Sequence, residues 1–416
     1  MKILLVNPNR YKSPPVPPIG LEYLAASLEG KGHSAEILDL CFAENIGRAL
    51  HDTLSSFRPD IAGVTVRNVD SVLYHTNEFF LDEIKDIIHQ IKAASGLKVI
   101  IGGTGISANP EGILGYLNAD FAVAGPGEHA VHEVLDAMVN HGNSRRVFRG
   151  TYPSYSACIR KPTRIDYRTY CDAGGIAGFE THKGCSSSCV YCMESGTPVA
   201  FKNPDDVIRE LTHFVDSGLT RFHLCDSEFN ESLEYSVDFC TALRKAGLDM
   251  QWALYMKPSQ FSRPLFRLLK DTGAYLITLS VDSWKKCDQY WAEYEKFVFN
   301  AKSCGIRIAV DFLTGFPNES ADDLLGHFDN LRRPLPDSIS VNTYIRLYKS
   351  LKITDIIMHD RGCWGSLSGD TGNKSYIKPV FYNHIATEKL SELIGGDKLF
   401  RIEGPEKIVN YLRAEQ

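Results

Sequence analysis

A chain of 416 residues is long enough for two or three domains, and its composition, 44% hydrophobic and 23% charged, is that of a globular protein. The formal net charge of −6 gives no general attraction to nucleic acid or to an anionic membrane, so neither is expected as a partner. No apolar run approaches the length of about 18 residues that a membrane span needs. The first residues predict a buried strand rather than a signal peptide, and a cytoplasmic protein is expected.

Residues 1–140 alternate short apolar strands with amphipathic helices, which is typical of a doubly wound, Rossmann-like parallel sheet. Such sheets bind ligands beyond the carboxyl ends of their strands. Two of these ends, 102–105 and 125–128, are rich in glycine and would let the backbone approach a large ligand closely, although plain tight turns would also explain them. The predicted strands are residues 3–6, 35–40, 61–66, 99–101 and 121–123.

The rest of the chain divides into three parts. Residues 141–176 show no clear periodicity and are interpreted as a linker packed on the surface. Residues 177–345 contain a second alternating series of six βα units, too few for a complete eight-fold barrel, so a partial, open (β/α)6 TIM barrel is predicted. Residues 346–416 are mixed and are predicted to form a small α/β extension, which makes the whole chain an α/β protein.

Three of the eleven cysteines, Cys185, Cys189 and Cys192, stand at spacings of four and three after the first strand of the second series. Thiolates at this spacing can hold three irons of a 4Fe–4S cluster and leave the fourth iron open to a substrate or cofactor. A structural zinc site is the rival, but it needs four ligands, usually in two close pairs, and only one such pair is present. The other cysteines are scattered singly and fit reduced, buried positions.

With these motifs the chain resembles the cobalamin-dependent radical S-adenosylmethionine (SAM) enzymes of the methyltransferase type. The cysteine run, the aromatic Tyr191 before its last cysteine and the six βα units resemble their radical SAM domain. The amino-terminal series resembles the cobalamin-binding domain that is fused to many of them. Its matching segments are residues 17–26, 32–33, 39, 67–68, 101–103 and 125–128.

The resemblance implies three cofactors, which are a 4Fe–4S cluster, SAM and cobalamin. Cys185, Cys189 and Cys192 would ligate the cluster, whose open iron would bind SAM, and Gly315 would allow close approach of the adenine. The residues implied to contact SAM are Tyr191, Asp226, Glu228, Asp282 and Asp311. Those implied to contact cobalamin are Asn9, Arg67, Asn68, Gly102, Gly103, Thr104, Gly125, Gly127 and Glu128.

Simpler explanations exist for several of these residues. Asp226 and Glu228 could belong to a solvated strand end, Asp282 could cap a helix, and Glu319 is better explained as a helix cap than as a ligand. The amino-terminal domain has no Asp-x-His-x-x-Gly sequence, so no histidine is marked as a lower ligand to cobalt. Pro126 also replaces the first glutamate of the usual Gly-Glu-Gly-Glu turn.

The resemblance implies methyl transfer from SAM by way of methylcobalamin to an unactivated carbon or phosphorus of a small-molecule or peptide substrate. An electron donor such as flavodoxin or ferredoxin is implied with it. Two alternatives stay open, a rearrangement or cyclisation with the same cofactors and a cobalamin or redox sensor with a static cluster. Tyr344, Arg346 and Tyr348 alternate on one strand and are predicted to line the substrate pocket, although packing explains them nearly as well.

Overall fold

Two parallel sheets, one in each half of the chain, dominate the computed structural model, which describes residues 1–139, 144–151, 158–359, 365–403 and 409–413. Helices flank both sheets, and a small antiparallel sheet lies near the carboxyl terminus. The predicted α/β class, with a Rossmann-like domain followed by an open barrel, is confirmed. Within the described residues, no helix is both long enough and apolar enough to cross a membrane.

The first domain is a six-stranded parallel sheet in the order β2-β1-β3-β4-β5-β6. Its strands are β1 (Lys2–Asn7), β2 (Ser34–Asp39), β3 (Ile61–Thr65), β4 (Val99–Gly102), β5 (Phe121–Ala124) and β6 (Val147–Arg149). Its helices are α1 (Ile19–Gly30), α2 (Ile46–Phe57), α3 (Leu81–Ser95), α4 (Pro110–Leu117) and α5 (Gly127–Val139). The sheet is buried on both faces because helices cover both, which is why its strands are continuous apolar runs.

One strand of this sheet, β6, lies inside the segment predicted as a linker. It pairs in parallel with β5, for example Val123 with Phe148. Three residues are too few to show a periodicity, so the sequence pattern could not reveal this strand. The linker also contains helix α6 (Tyr167–Asp172), which begins where the Asp166 side chain accepts a hydrogen bond from the Thr169 amide.

The second domain is a seven-stranded parallel sheet in the order β18-β14-β13-β12-β11-β10-β7, with a two-stranded ribbon, β8 and β9, beside it. Its strands are β7 (Ala177–Phe179), β8 (His182–Lys183), β9 (Ala200–Phe201), β10 (Arg221–Leu224), β11 (Gln251–Met256), β12 (Ala274–Asp282), β13 (Arg307–Leu313) and β14 (Ser338–Asn342). Its helices are α7 (Pro204–Asp216), α8 (Leu233–Ala246), α9 (Arg263–Asp271), α10 (Asp288–Ser303) and α11 (Ala321–Arg332).

The carboxyl-terminal part does not form one separate extension. Its last strand joins the barrel edge in parallel with β14, where Ile339 pairs with Phe400, while three other strands form the small sheet β15-β17-β16. The elements are β15 (Tyr344–Arg346), α12 (Lys352–His359), β16 (Ser366–Gly369), β17 (Val380–Asn383), α13 (Thr387–Ile394), β18 (Phe400–Ile402) and α14 (Asn410–Arg413). The sequence does not reveal this pairing, because the seventh barrel strand is separated from the sixth by more than fifty residues of irregular pattern.

A buried arginine in the predicted surface linker joins the two domains. The Arg160 side chain is 1% exposed, and its guanidinium donates to Glu22 in α1 at 3.0 Å and to Glu210 in α7 at 2.8 Å. It also donates to the Gly178 carbonyl at 2.7 Å and to the Tyr167 hydroxyl at 3.2 Å. This part of the linker is therefore buried between the domains rather than packed on the surface.

A second buried arginine corrects one prediction. Arg346 donates to Asp70 of the first domain at 2.9 Å and to the carbonyls of Tyr376 and Ile377, and its side chain is 2% exposed. The guanidinium stacks over the Tyr348 ring at 4.3 Å. Because every direction around Arg346 is taken by protein, it anchors the small sheet to the first domain and does not line a substrate pocket.

The two tyrosines predicted beside Arg346 also pack against protein. Tyr344 stacks on Tyr74 of the first domain with 3.6 Å between ring centroids and 7° between ring planes. Tyr348 packs against the apolar core of the first domain. All three residues lie outside the main cavity, so the packing explanation is the one that the structure supports.

Candidate active site

A cavity of about 720 Å³ is lined by residues of both parallel sheets. This volume lies within the range of small-molecule and cofactor sites. From the first domain it receives the carboxyl-terminal strand ends, which include most of the residues implied to contact cobalamin. They are Arg67, Asn68, Gly102, Gly103, Thr104, Gly125, Gly127 and Glu128.

From these strand ends the cavity continues as an apolar slot between the sheet of the first domain and helices α1 and α5. Ile3, Leu5, Ile100 and Val123 line it from the sheet. Gly63 also faces it, and a Cβ there would lie only 3.0 Å from the Leu5 side chain. Cobalamin is a large ligand with an extended arm, and an apolar slot next to polar strand ends can hold such a ligand. The residues present therefore fit cobalamin.

Two glycines in the predicted motifs are required by the fold itself. Gly103 has φ +105°, and a Cβ there would lie 2.6 Å from the Val66 carbonyl oxygen. Gly315 has φ +82°, and a Cβ there would lie 2.5 Å from the Thr343 carbonyl oxygen. Neighbouring backbone therefore accounts for Gly315 without a bound adenine.

Asn9 lies in a separate, smaller hollow of about 100 Å³, which also contacts Arg67 and Asn68. Its side-chain oxygen accepts from the Tyr11 amide at 3.3 Å, so it shapes the loop after β1 and does not line the main cavity. Arg67 does line the main cavity, and burial lowers the pKa of its guanidinium. Among the described residues no side chain forms an ion pair with Arg67.

An ion pair across the domains closes one side of the cavity. Lys183 of β8 donates to Glu128 at the start of α5, while the other Glu128 oxygen is buried without a partner in the described part of the chain. Lys183 also lies 3.7 Å from Glu180, which pairs with Lys202 at 3.0 Å. Burial alone would raise the pKa of Glu180, yet the two lysines hold it below its ordinary value. The glycine turn of the first domain is thereby fixed directly beside the cysteine loop.

The cysteine loop, residues 184–199, lies between the two ribbon strands and is held by its own hydrogen bonds. The Cys185 amide donates to the Thr197 hydroxyl at 3.0 Å, and the Gly196 amide donates to the Ser187 carbonyl at 2.8 Å. The Tyr191 hydroxyl donates to Asp282 at the end of β12 at 3.0 Å. Lys286 also donates to Asp282, at 3.1 Å, so the loop is tied to the barrel's carboxyl edge.

The three thiols of this loop are free and lie close enough to interact electrostatically. Burial raises the pKa of each thiol. Cys185 raises the pKa of Cys192 further, and Cys192 raises the pKa of Cys189 further. Among the described residues, no three histidine, cysteine or acidic side chains converge on one point as ligands of a single metal ion do. Three thiols in one short loop can each supply a thiolate to a different iron of a 4Fe–4S cluster, whereas a structural zinc site takes four ligands.

Of the five residues implied to contact SAM, Asp226 alone lines the main cavity. Its carboxylate is already engaged, because it accepts from the Thr181 amide at 2.8 Å and from the Thr181 hydroxyl, and it pairs with His182 at 3.0 Å. Tyr191 and Asp282 bond to each other beside the cavity. The role of these residues toward SAM stays a prediction.

The other two acids are partly buried and do not line the cavity. Asp311 accepts from the Tyr255 hydroxyl at 3.3 Å and from the Asn410 amide at 3.0 Å, and burial raises its pKa. It therefore supports residues that line the cavity. Glu228 is half-buried, with one carboxylate oxygen fully buried, and burial raises its pKa from 4.5 to about 8.

Glu319 has a role that the sequence did not reveal. One carboxylate oxygen accepts from the Thr314 hydroxyl at 2.7 Å and from the amides of Gly315 and Phe316. Helix α11 is capped instead by Ser320, through a reciprocal pair of bonds with Asp323. Glu319 thus holds the loop after β13 and is neither a helix cap nor part of the cavity wall.

The raised pKa of Glu228 can be tested by replacing it with glutamine and measuring stability at several pH values. Between pH 4.5 and about 8 the folded protein keeps a proton that the unfolded chain has lost, so Glu228 makes the free energy of unfolding fall as pH rises through this window. The melting temperature of the cofactor-free Glu228→Gln variant should therefore fall less between pH 5 and pH 8 than that of the wild-type protein. Glu234→Gln, in an exposed acid of α8, is the matched control, and equal slopes for the two variants would contradict the assignment.

Several cavity residues were missed at the sequence level. Lys183, Asn410 and Tyr411 all line the cavity. Lys183 adjoins a motif that the sequence does reveal. Asn410 and Tyr411 carry no local signal, because only the pairing of β18 with the barrel edge brings them there.

Two family models match the chain in succession. The B12 binding domain matches residues 13–135, and the radical SAM superfamily matches residues 179–331. These matches confirm the predicted cofactors at the level of the two families. They also agree with the structure, since the first covers the parallel sheet with the apolar slot and the second the barrel with the cysteine loop.

Individual relatives are more distant. The tryptophan 2-C-methyltransferase of Streptomyces laurentii is 24% identical over 79% of this chain and 70% of its own length. The cytidylyl-2-hydroxyethylphosphonate methyltransferase of Streptomyces wedmorensis is 22% identical over 79% of this chain and 76% of its own length.

A solved structure establishes the same fold. The radical SAM methyltransferase TsrM from Kitasatospora setae, with cobalamin and a 4Fe–4S cluster bound, superposes with a TM-score of 0.86 at 22% identity. The superposition covers 99% of this chain and 94% of that one. The chain therefore carries a B12 binding domain followed by a domain of the radical SAM superfamily, and it shares the fold of TsrM.

Proposed function

We propose that this enzyme is a methyltransferase that moves a methyl group from SAM by way of cobalamin to a carbon, or a phosphorus, of a small molecule. The observation that carries the proposal is one continuous cavity that joins the glycine-rich strand ends of the B12-binding domain to the cysteine loop of the barrel. When bound, the cluster would hold and cleave SAM, and cobalamin would carry the methyl group. A substrate between them would reach both centres.

The chain's own residues enclose and fix this site. The Lys183–Glu128 pair holds the two domains together at the cavity edge, and the Tyr191–Asp282 bond fixes the cysteine loop on the barrel. Apolar side chains of both sheets, such as Leu5 and Leu276, line the space between them and favour the exclusion of water when ligands fill it. Water exclusion protects reactive intermediates from side reactions, which is what radical chemistry requires of a protein.

The named relatives favour methyl transfer over rearrangement, because both are methyltransferases by name. One is named for tryptophan and the other for a cytidylyl phosphonate, so a small-molecule substrate is preferred to a peptide. We further propose a reduced flavodoxin or ferredoxin as electron donor. A cytoplasmic, reducing compartment is consistent with the described cysteines, which are all free thiols.

Product analysis tests the proposal. The protein, reconstituted without oxygen with iron, sulfide and hydroxocobalamin, is incubated with methyl-labelled SAM, reductant and L-tryptophan, and then with a metabolite extract. Methyl transfer predicts S-adenosylhomocysteine and a labelled product heavier by one methyl group. Formation of 5′-deoxyadenosine without any labelled product would favour a rearrangement reaction over methyl transfer. SAM that stays intact would contradict both reactions and favour a sensor.

A further inference from the structure

The far carboxyl-terminal end of the chain forms part of the cavity wall. Val409, Asn410 and Tyr411 line the cavity together with Ala253 and Leu276 of the barrel strands. They reach it after β18 has added to the open edge of the barrel beside β14. Tyr411 is 9% exposed and packs in an apolar cluster with those barrel residues.

Hydrogen bonds fix the Asn410 side chain at this wall but leave its amide oxygen without a partner among the described residues. Its side-chain nitrogen donates to Asp311 at 3.0 Å and to the Thr278 hydroxyl at 3.3 Å, and the residue is 8% exposed. Its side-chain oxygen is buried and accepts no hydrogen bond within the described part of the chain. A buried amide oxygen without a partner is costly to desolvate, so a ligand that donates to it would bind more tightly.

Aromatic rings surround this end of the cavity, where the charged neighbours include Asp311, which Asn410 already bonds, and Arg67, which interacts electrostatically with Tyr411. The His223 ring lies 5.6 Å from that of Tyr411 and 5.7 Å from that of Tyr255. Burial lowers the pKa of His223 to about 4, so its imidazole is neutral at physiological pH. Small side chains, such as that of Ala253, also line this part of the cavity. An aromatic ring with one hydrogen-bond donor suits this lining, because aromatic rings pack edge-to-face or offset against one another.

This end of the cavity is distinct from the one that fits cobalamin. The apolar slot with Leu5 and Val123 lies in the first domain, whereas Asn410 and Tyr411 lie inside the barrel. The cysteine loop enters between them through Gly184 and Met193. The barrel interior is therefore the part of the cavity left for SAM and the substrate.

We propose that Asn410 and Tyr411 determine substrate specificity, with the Asn410 amide oxygen accepting a hydrogen bond from an N–H or O–H group on an uncharged aromatic ring of the substrate. Tyr411 and His223 pack against that ring. Asp311 and Thr278 are positioning residues, since they orient the amide. This inference rests on the proposed function and names its substrate class.

Binding of two probes tests the inference without turnover. Indole carries a ring N–H, and 1-methylindole has the same ring without it. Calorimetry on the cobalamin- and cluster-loaded protein should show indole binding that weakens at least about tenfold in Asn410→Leu, because the acceptor is lost while the side-chain shape is kept. Binding of 1-methylindole should change less than about twofold.

Asn300→Leu is the matched control, because the Asn300 amide lies exposed on α10, where it donates to the Lys296 carbonyl at 2.8 Å. Thr278→Val, which removes one of the bonds that orient the amide, should weaken indole alone by a smaller factor and replaces Asn410→Leu if that variant does not fold. Equal losses for both probes, or no indole binding by the loaded protein, would overturn the inference. A protein that binds indole as expected but forms no methylated product would instead overturn the proposed function.

Discussion

Replacing Cys185, Cys189 and Cys192 together by alanine is expected to abolish the binding of iron and sulfide and every turnover of SAM. The three thiols are free and held in a loop whose hydrogen bonds include those of its own backbone, of Thr197 and of Tyr191 with Asp282. The alanine variants should therefore keep the loop and the fold while losing only the ligands. Iron and sulfide content, together with the charge-transfer absorption of the reconstituted protein, measures the result.

Cobalamin binding separates this effect from unfolding. The apolar slot lies in the first domain, so the triple variant should still bind hydroxocobalamin in near-stoichiometric amount. Replacing the exposed cysteines Cys171 and Cys287 by alanine is the matched control and should leave the cluster intact. A full cluster in the triple variant would show that other residues ligate it and would refute the assignment.

Replacing Arg160 by methionine is expected to destabilise the protein by about 3–5 kcal/mol, because it leaves Glu22 and Glu210 buried without their cation. These acids belong to different domains, so the loss should also loosen the contact between them. Melting temperature and the rate of limited proteolysis in residues 158–176 measure the two effects.

Two further variants define what the arginine does. Arg168→Met removes an exposed arginine from the same segment, where it lies 4.0 Å from Asp172, and should behave as wild type. Adding Glu22→Gln and Glu210→Gln to Arg160→Met should restore part of the stability, because neutral amides cost less to bury than unpaired carboxylates. Equal melting temperatures for Arg160→Met and Arg168→Met would refute a joining role for Arg160.

The sequence predicted the architecture where the physics is local. Strands of four or more apolar residues, such as 61–65, and the helix that Asn203 begins follow from periodicity and capping. The cysteine loop follows from ligand spacing. Strand β6 and the pairing of β18 with the barrel edge do not, because short strands and long-range pairing leave no periodic signal.

The candidate site was predictable to the same extent. Residues that mark a backbone turn or a cluster were found, whereas pairs formed between distant segments were not. Lys183 with Glu128 and Asn410 with Asp311 are separated by 55 and 99 residues. Arg346 shows the converse error, since its alternation with two tyrosines suggested a pocket although its charge is neutralised by Asp70.

We expect one cavity between the two domains to hold both reactive centres. Anomalous diffraction at the cobalt and iron edges from crystals of the reconstituted protein tests this placement. A cobalt peak is expected inside the cavity, between the strand ends of the first domain and the barrel, and an iron peak beside Cys185, Cys189 and Cys192. A cobalt peak outside this cavity, or iron bound at other residues, would contradict it.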